Sequence, residues 1–143
     1  MDIPEDWISV AVCGAHMSGL PLNHQLLGLG GQLQACTVTA PHYRLYRLQG
    51  FEPPRPGMVR VPTNGSAVEV EVWRLPLAQY GRLVAMVPFP LCIGTLELAD
   101  GSRVQGFLCE GHATLDAEDI SACGGWRGYL AASQAAGAGP INA

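Results

Sequence analysis

The sequence has no lysine. All eight of its basic residues are arginine, set against twelve acidic ones, for a formal net charge of −4. With no basic stripe to neutralise a run of phosphates, nucleic-acid binding is not expected. Charge of either sign is sparse, at 14% of residues, yet the 48% apolar share is that of a globular chain and not a disordered one. No apolar run reaches membrane-spanning length, so no membrane partner is expected. There is no CxxC pair, and the five cysteines (Cys13, Cys36, Cys92, Cys109 and Cys123) are odd in number, which argues against a disulfide framework or a zinc site. Several lie in apolar runs (AVCGA, PLCIG, FLCEG), where cysteine acts as a small buried hydrophobe. The four histidines show neither HxH nor HxxxH spacing, so no metal is expected, and no cofactor motif appears. Met1–Asp6 is acidic and lacks the basic start and apolar run of a signal peptide, which makes a reducing cytoplasm the expected compartment.

What remains is a chain of 143 residues, enough for one core, with 18 glycines and 11 prolines that imply many turns and a β-rich fold. Ile8–Ala15 reads as a buried first strand ending at Gly14. A tight loop, His16–Pro21, leads into a short helix over Leu22–Gly30. Gln32–Thr39 alternates as a second strand and Tyr43–Leu48 as a third. Gly50–Gly57 (GFEPPRPG) has too many prolines for a central strand and reads as a stiff connection. The turn Thr63–Ser66 introduces the clearest alternating strand, Ala67–Leu75, and Pro76 opens a helix through Val87. Cys92–Leu98 and Ser102–Glu110 flank Asp100-Gly101 as a hairpin. A last helix is expected within Asp116–Ala132, interrupted by Gly124-Gly125, with a frayed tail over Ala135–Ala143. The expected architecture is α+β, a small mixed sheet or barrel curling around one core with a few helices, with residues 1–134 as the domain.

The stretch Val12–Gln25, VCGAHMSGLPLNHQ, resembles the allophanate hydrolase C-terminal domain, whose first strand runs into a G-A-x-x-S-G-x-P-L-N-x-Q-L loop. The resemblance continues through Thr39–Tyr46, Val68–Leu75, Ile93–Ala99, Gly106–Glu110 and Gly124–Leu130, over nearly the whole chain and in order. More distantly, the loop resembles the Y-G-[ST]-L-x-x-G motif of the γ-glutamylcyclotransferase-like fold, which implies that fold here. Those distant relatives use a glutamate after their middle strand as acid and base. The corresponding stretch, Tyr80–Leu91, has no acidic residue, so cyclotransferase chemistry is not expected. The resemblance implies a domain that decarboxylates N-carboxycarbamate to carbamate in allophanate or urea degradation. It would work beside an amidase domain or partner, either as a fragment or as a stand-alone relative, and without a cofactor.

Such a substrate needs donors for its carboxylates and a proton for the departing nitrogen centre. The turn Gly14–Gly19 follows a strand and contains two glycines, so the backbone N–H groups of Gly14, Ala15, His16, Met17, Ser18 and Gly19 are candidate anion donors. By resemblance, His24 is the candidate catalytic residue, as proton donor to nitrogen. The ordinary alternative is a helix-cap histidine, and His16 stands second. Arg44 is a candidate carboxylate fork with Tyr43 to orient the same group, and Asn23 and Ser18 are candidate polar contacts. Each has a bland counterpart as a surface, packing or cap residue. The alternation VEVEV more simply gives a solvent-facing acidic row at Glu69 and Glu71. Trp73 and Trp126 read as packing residues. Two other readings stand beside the decarboxylase. One is a non-catalytic oligomer contact or scaffold for an amidase partner, with Phe51, Phe89 and the last helix as its surface and a homodimer as one form. The other is an enzyme acting on a different small carboxylate.

Overall fold

A computed structural model describes residues 6–142, with side chains through Ala136. The elements run β1 (Trp7–Val12), α1 (Asn23–Gly28), β2 (Gln32–Val38), β3 (Tyr43–Arg47), β4 (Pro56–Arg60), β5 (Glu69–Pro76), α2 (Leu77–Ala85), β6 (Leu91–Glu97), β7 (Arg103–Cys109), β8 (Glu118–Asp119) and α3 (Trp126–Asn142). Five strands form one sheet in the order β2-β5-β1-β7-β6, and β4-β3-β8 form a second. The large sheet is mixed, because β1 pairs antiparallel with β5 but parallel with β7.

The sheet curls until its two edges meet at one end. Ala40 N–H donates to Glu97 O (2.9 Å) and Ala99 N–H to Val38 O (3.0 Å), joining the ends of β2 and β6 around a Thr39–Leu98 bridge. Twist makes such closure natural, and Asp100-Gly101 turns the β6–β7 hairpin, Gly101 having φ +88°. Ala11, Val70, Val72 and Leu96 share one core with Tyr43, Leu45 and Met58 of the small sheet. Each such side chain contributes about 1.5–3 kcal/mol by leaving water. Helix α2 packs on β5 and β1 through its buried Leu83.

The expected α+β architecture is the observed one. The stiff connection differs in one respect: its last residues, Pro56 and Gly57, begin strand β4. Proline heads an edge strand without loss, since its missing N–H would have faced away from the ladder. The last helix starts at Trp126, after the glycine pair that was expected to interrupt it, because Gly124 takes a left-handed φ of +82° that turns the chain before the helix begins. The tail expected over Ala135–Ala143 falls mostly on positions whose side chains lie outside the described residues, and Ala143 is wholly outside them. Trp73 and Trp126 are buried, the latter stacked on Tyr129.

Candidate active site

Between β1 and α1 the chain makes a loop that is fixed from three sides. Met17 is fully buried and roots it in the core. Asn23, at the head of α1, donates from Nδ2 to His16 O at 2.9 Å. Ser18 donates from both N–H (2.8 Å) and Oγ (3.1 Å) to Glu71 Oε1. Gly14 permits the close approach of the neighbouring chain, since a Cβ there would lie 2.5 Å from Pro56 Cδ.

Glu71 corrects the expectation of an acidic row in solvent: it is 5% exposed. The loop comes down on that face of β5 and encloses the carboxylate. Trp73 Nε1–H donates to Oε1 (3.0 Å), and Arg127 of α3 bridges Glu71 Oε2 (2.9 Å) and Ser18 O (2.7 Å). Burial alone would push the Glu71 carboxyl up, but the Ser18, Trp73 and Arg127 donors outweigh it and hold the pKa below its ordinary value.

Beside the loop lies a narrow cleft of about 20 Å³. Cys13–His16 form one wall, Arg55 and Pro56 the other, with Leu91 and Phe107 completing it. The His16 ring lies 5.0 Å from the Phe107 ring, and its Nε2–H donates to Gln25 Oε1 at 2.7 Å. That bond places the neutral ring's proton on Nε2 and leaves the Nδ1 lone pair free, with no hydrogen-bond partner among the described residues. Burial, and then the Arg55 charge, push the ring pKa down to about 4 against the raising effect of Gln25, so His16 is neutral at pH 7. Arg55 is 9% exposed, its guanidinium 5.5 Å from the Phe51 ring centroid, and its Nη1 is sealed from solvent with no hydrogen-bond partner. A buried cation with no counter-ion among the described residues, beside the backbone of a glycine turn, could receive an anion. A larger depression beside Leu48 and His112 has no comparable buried polar atom.

The expected site residues are thus divided. Gly14, Ala15 and His16 line the cleft, while Met17, Ser18, Gly19 and Asn23 hold the loop that carries them. His24 is exposed on α1, its Nδ1–H donating to Pro21 O at 2.9 Å, and it is not a lining residue. Tyr43 is buried in the core, its hydroxyl accepting from Glu97 N–H. Arg44 pairs with Asp119 at 2.7 Å and donates to Asn64 O, and neither Tyr43 nor Arg44 lines the cleft. Arg55 was missed from sequence. Its one signal was its setting, an arginine between Pro54 and Pro56 in a stretch too stiff to move it.

A curled mixed sheet with a cleft lined by His16 and Arg55 at the end of its first strand defines a small α+β domain. The model of the allophanate hydrolase C-terminal domain matches residues 8–131, and the chain belongs to that family. Urea amidolyase of Saccharomyces cerevisiae is 39% identical over 131 residues, covering 89% of this chain and 7% of that protein. The chain therefore spans only a small part of the curated relatives it matches. The crystal structure of the Kluyveromyces lactis urea amidolyase superposes with a TM-score of 0.85 at 37% identity, over 89% of this chain and 8% of that one. A uropathogenic E. coli-specific protein, c4763, superposes at 0.82 with 39% identity, over 87% of this chain and 96% of that one. A γ-glutamyl cyclotransferase at 8% identity and a TM-score of 0.53 shares the fold alone.

Proposed function

We propose that the chain decarboxylates N-carboxycarbamate to carbamate and CO₂, in the breakdown of allophanate and urea, next to an amidase domain or partner. Family membership supports the substrate class. The observation that carries the reading is Arg55 beside His16 in one cleft, its Nη1 buried without a hydrogen-bond partner among the described residues. Arg55 holds one carboxylate of the substrate, and the N–H groups around Gly14–His16 receive the other. The bond between nitrogen and the departing carboxylate carbon breaks, and its electron pair stays on nitrogen. A proton that His16 Nδ1 first takes from water meets that pair, CO₂ leaves and carbamate remains, with the ring returned to its neutral form. The donor role falls to His16 because His24 lies outside the cleft with its Nδ1 committed to Pro21.

The test is CO₂ release from N-carboxycarbamate freshly made by an amidase. The native chain and His24→Ala should accelerate it, and His16→Gln should lose about 10²–10⁴-fold, the range of acid–base catalysis. Release at the uncatalysed rate with native protein would sink the decarboxylase. Loss with His24→Ala but not His16→Gln would return the role to His24.

A second reading, as a scaffold for a partner, draws on Phe89 and Leu115, which are 71% and 86% exposed near the larger depression. On that reading Phe89→Ser with Leu115→Ser abolishes co-elution with the amidase and leaves CO₂ release by the isolated chain unchanged.

A further inference from the structure

We propose that the cleft is charge-balanced for a dianion, and that binding a compact dicarboxylate draws one proton from water onto His16. This rests on the reading of the cleft as the substrate site and goes further, since it fixes the ligand's charge and the protonation state of the complex. The charged or titratable groups around His16 are Arg55 on the opposite wall, His24 on α1 and the thiol of Cys13 at the end of β1. The acidic group that reaches the same loop, Glu71, is occupied by Arg127, Ser18 and Trp73. Among the described residues the cleft therefore carries one positive charge, on Arg55, and no negative one.

Two carboxylates entering that space overcompensate Arg55 and leave one negative charge in a poorly solvated site. His16 Nδ1 is the one lining ring nitrogen without a partner, and protonating it restores neutrality. Burial, the main cause of the ring's low affinity for a proton, remains, but the Arg55 charge that adds to it is now paired. A carboxylate within about 4–6 Å moves a neighbour by about 1–3 pH units, and two of them act in the same direction. The complex thus contains the imidazolium that the free protein lacks. The acid needed for catalysis is made by substrate binding, and a monoanion, which only neutralises Arg55, does not make it. Selectivity for dicarboxylates and arming of the proton donor are then one event.

Malonate, with one atom between its carboxylates, is the probe. Calorimetric titration of the full chain at pH 7, in two buffers of different ionisation enthalpy, should show close to one proton taken up per malonate bound. Affinity should weaken about tenfold per pH unit as the pH rises towards the His16 pKa of the complex, and level off above it. Acetate should bind more weakly and take up none. His16→Gln should still bind malonate but without proton uptake, His24→Gln should keep the uptake, and Arg55→Gln should lose binding. Arg55→Lys, which keeps the charge but not the fork, should recover part of it and guards against a folding defect. Malonate binding with no proton change, uptake that survives His16→Gln, or no malonate binding at all overturns the proposal. Proton uptake without CO₂ release would remove the decarboxylase and leave this inference standing. CO₂ release without uptake would do the reverse.

Discussion

A buried guanidinium nitrogen with no partner among the described residues, Nη1 of Arg55, is held at a cost to the fold. Replacing Arg55 by methionine, which fills similar space without a charge, should stabilise the free protein by about 1–3 kcal/mol while removing malonate binding. Urea unfolding midpoints with and without malonate check both halves. His16 makes a second residue-scale prediction. Its pKa is about 4 folded and 6.5 in an ordinary environment, so between those values the unfolded chain binds more protons. Stability is therefore whole above pH 6.5 and falls as pH drops towards 4, by roughly 3 kcal/mol in all. Glu71 has the opposite kind of shift, a lowered carboxyl, and its contribution is lost only as pH falls below 4.5. Between pH 6.5 and 5 the slope belongs to His16, and His16→Gln should flatten it in urea titrations. The sequence made the Gly14–His24 loop legible through its motif, but not which histidine faces the cleft. That depends on Gln25, Phe107 and Arg55, which lie far apart along the chain and meet only in the folded sheet.

At the scale of elements, strands with clear alternation were legible nearly to the residue, as in Gln32–Val38 and the β6–β7 hairpin around Asp100-Gly101. Strand β4 was not, because its signal is masked by the prolines that precede it and by its place at an edge. The face of β5 was misjudged for another reason. Alternation tells which side chains share a face, and Glu71 does share one with Glu69. It does not tell what lies over that face. The β1–α1 loop and α3 cover Glu71, and their joint lies at Arg127. Glu71→Gln should lose the ion pair yet keep the shape, costing about 2 kcal/mol, since Arg127 is partly exposed and recovers some hydration. The loosened loop should lower kcat more than it raises KM, measurable in the CO₂ assay. Gly14→Ala attacks the same region from the other wall by forcing Pro56 and Arg55 outward. Its expected result is weaker malonate binding with the His16 acid slope reduced.

For the whole molecule, the same domain recurs as about 7–8% of urea amidolyases and as nearly all of c4763. A unit found in both settings carries its own core, and here the closure of β2 on β6 joins the sheet into one body. Thermal unfolding of the isolated chain should be a single transition, with calorimetric and van't Hoff enthalpies equal. Taking residues 1–134 as the functional unit, removal of Ala135–Ala143 should leave CO₂ release unchanged. Removal of everything from Trp126 onward should abolish it although all eight strands remain, because Arg127 goes with it. The clamp at Glu71 thus has a consequence for how the protein comes into being. Ser18 of the Gly14–Gly19 loop is made 109 residues before Arg127, the arginine that pins it. Until Arg127 follows, the loop is held by Met17, Asn23 and Glu71 but lacks the clasp on Ser18 O. A chain cut before Arg127 carries the loop without its last clasp, so the order of synthesis makes the site the last part of the domain to set.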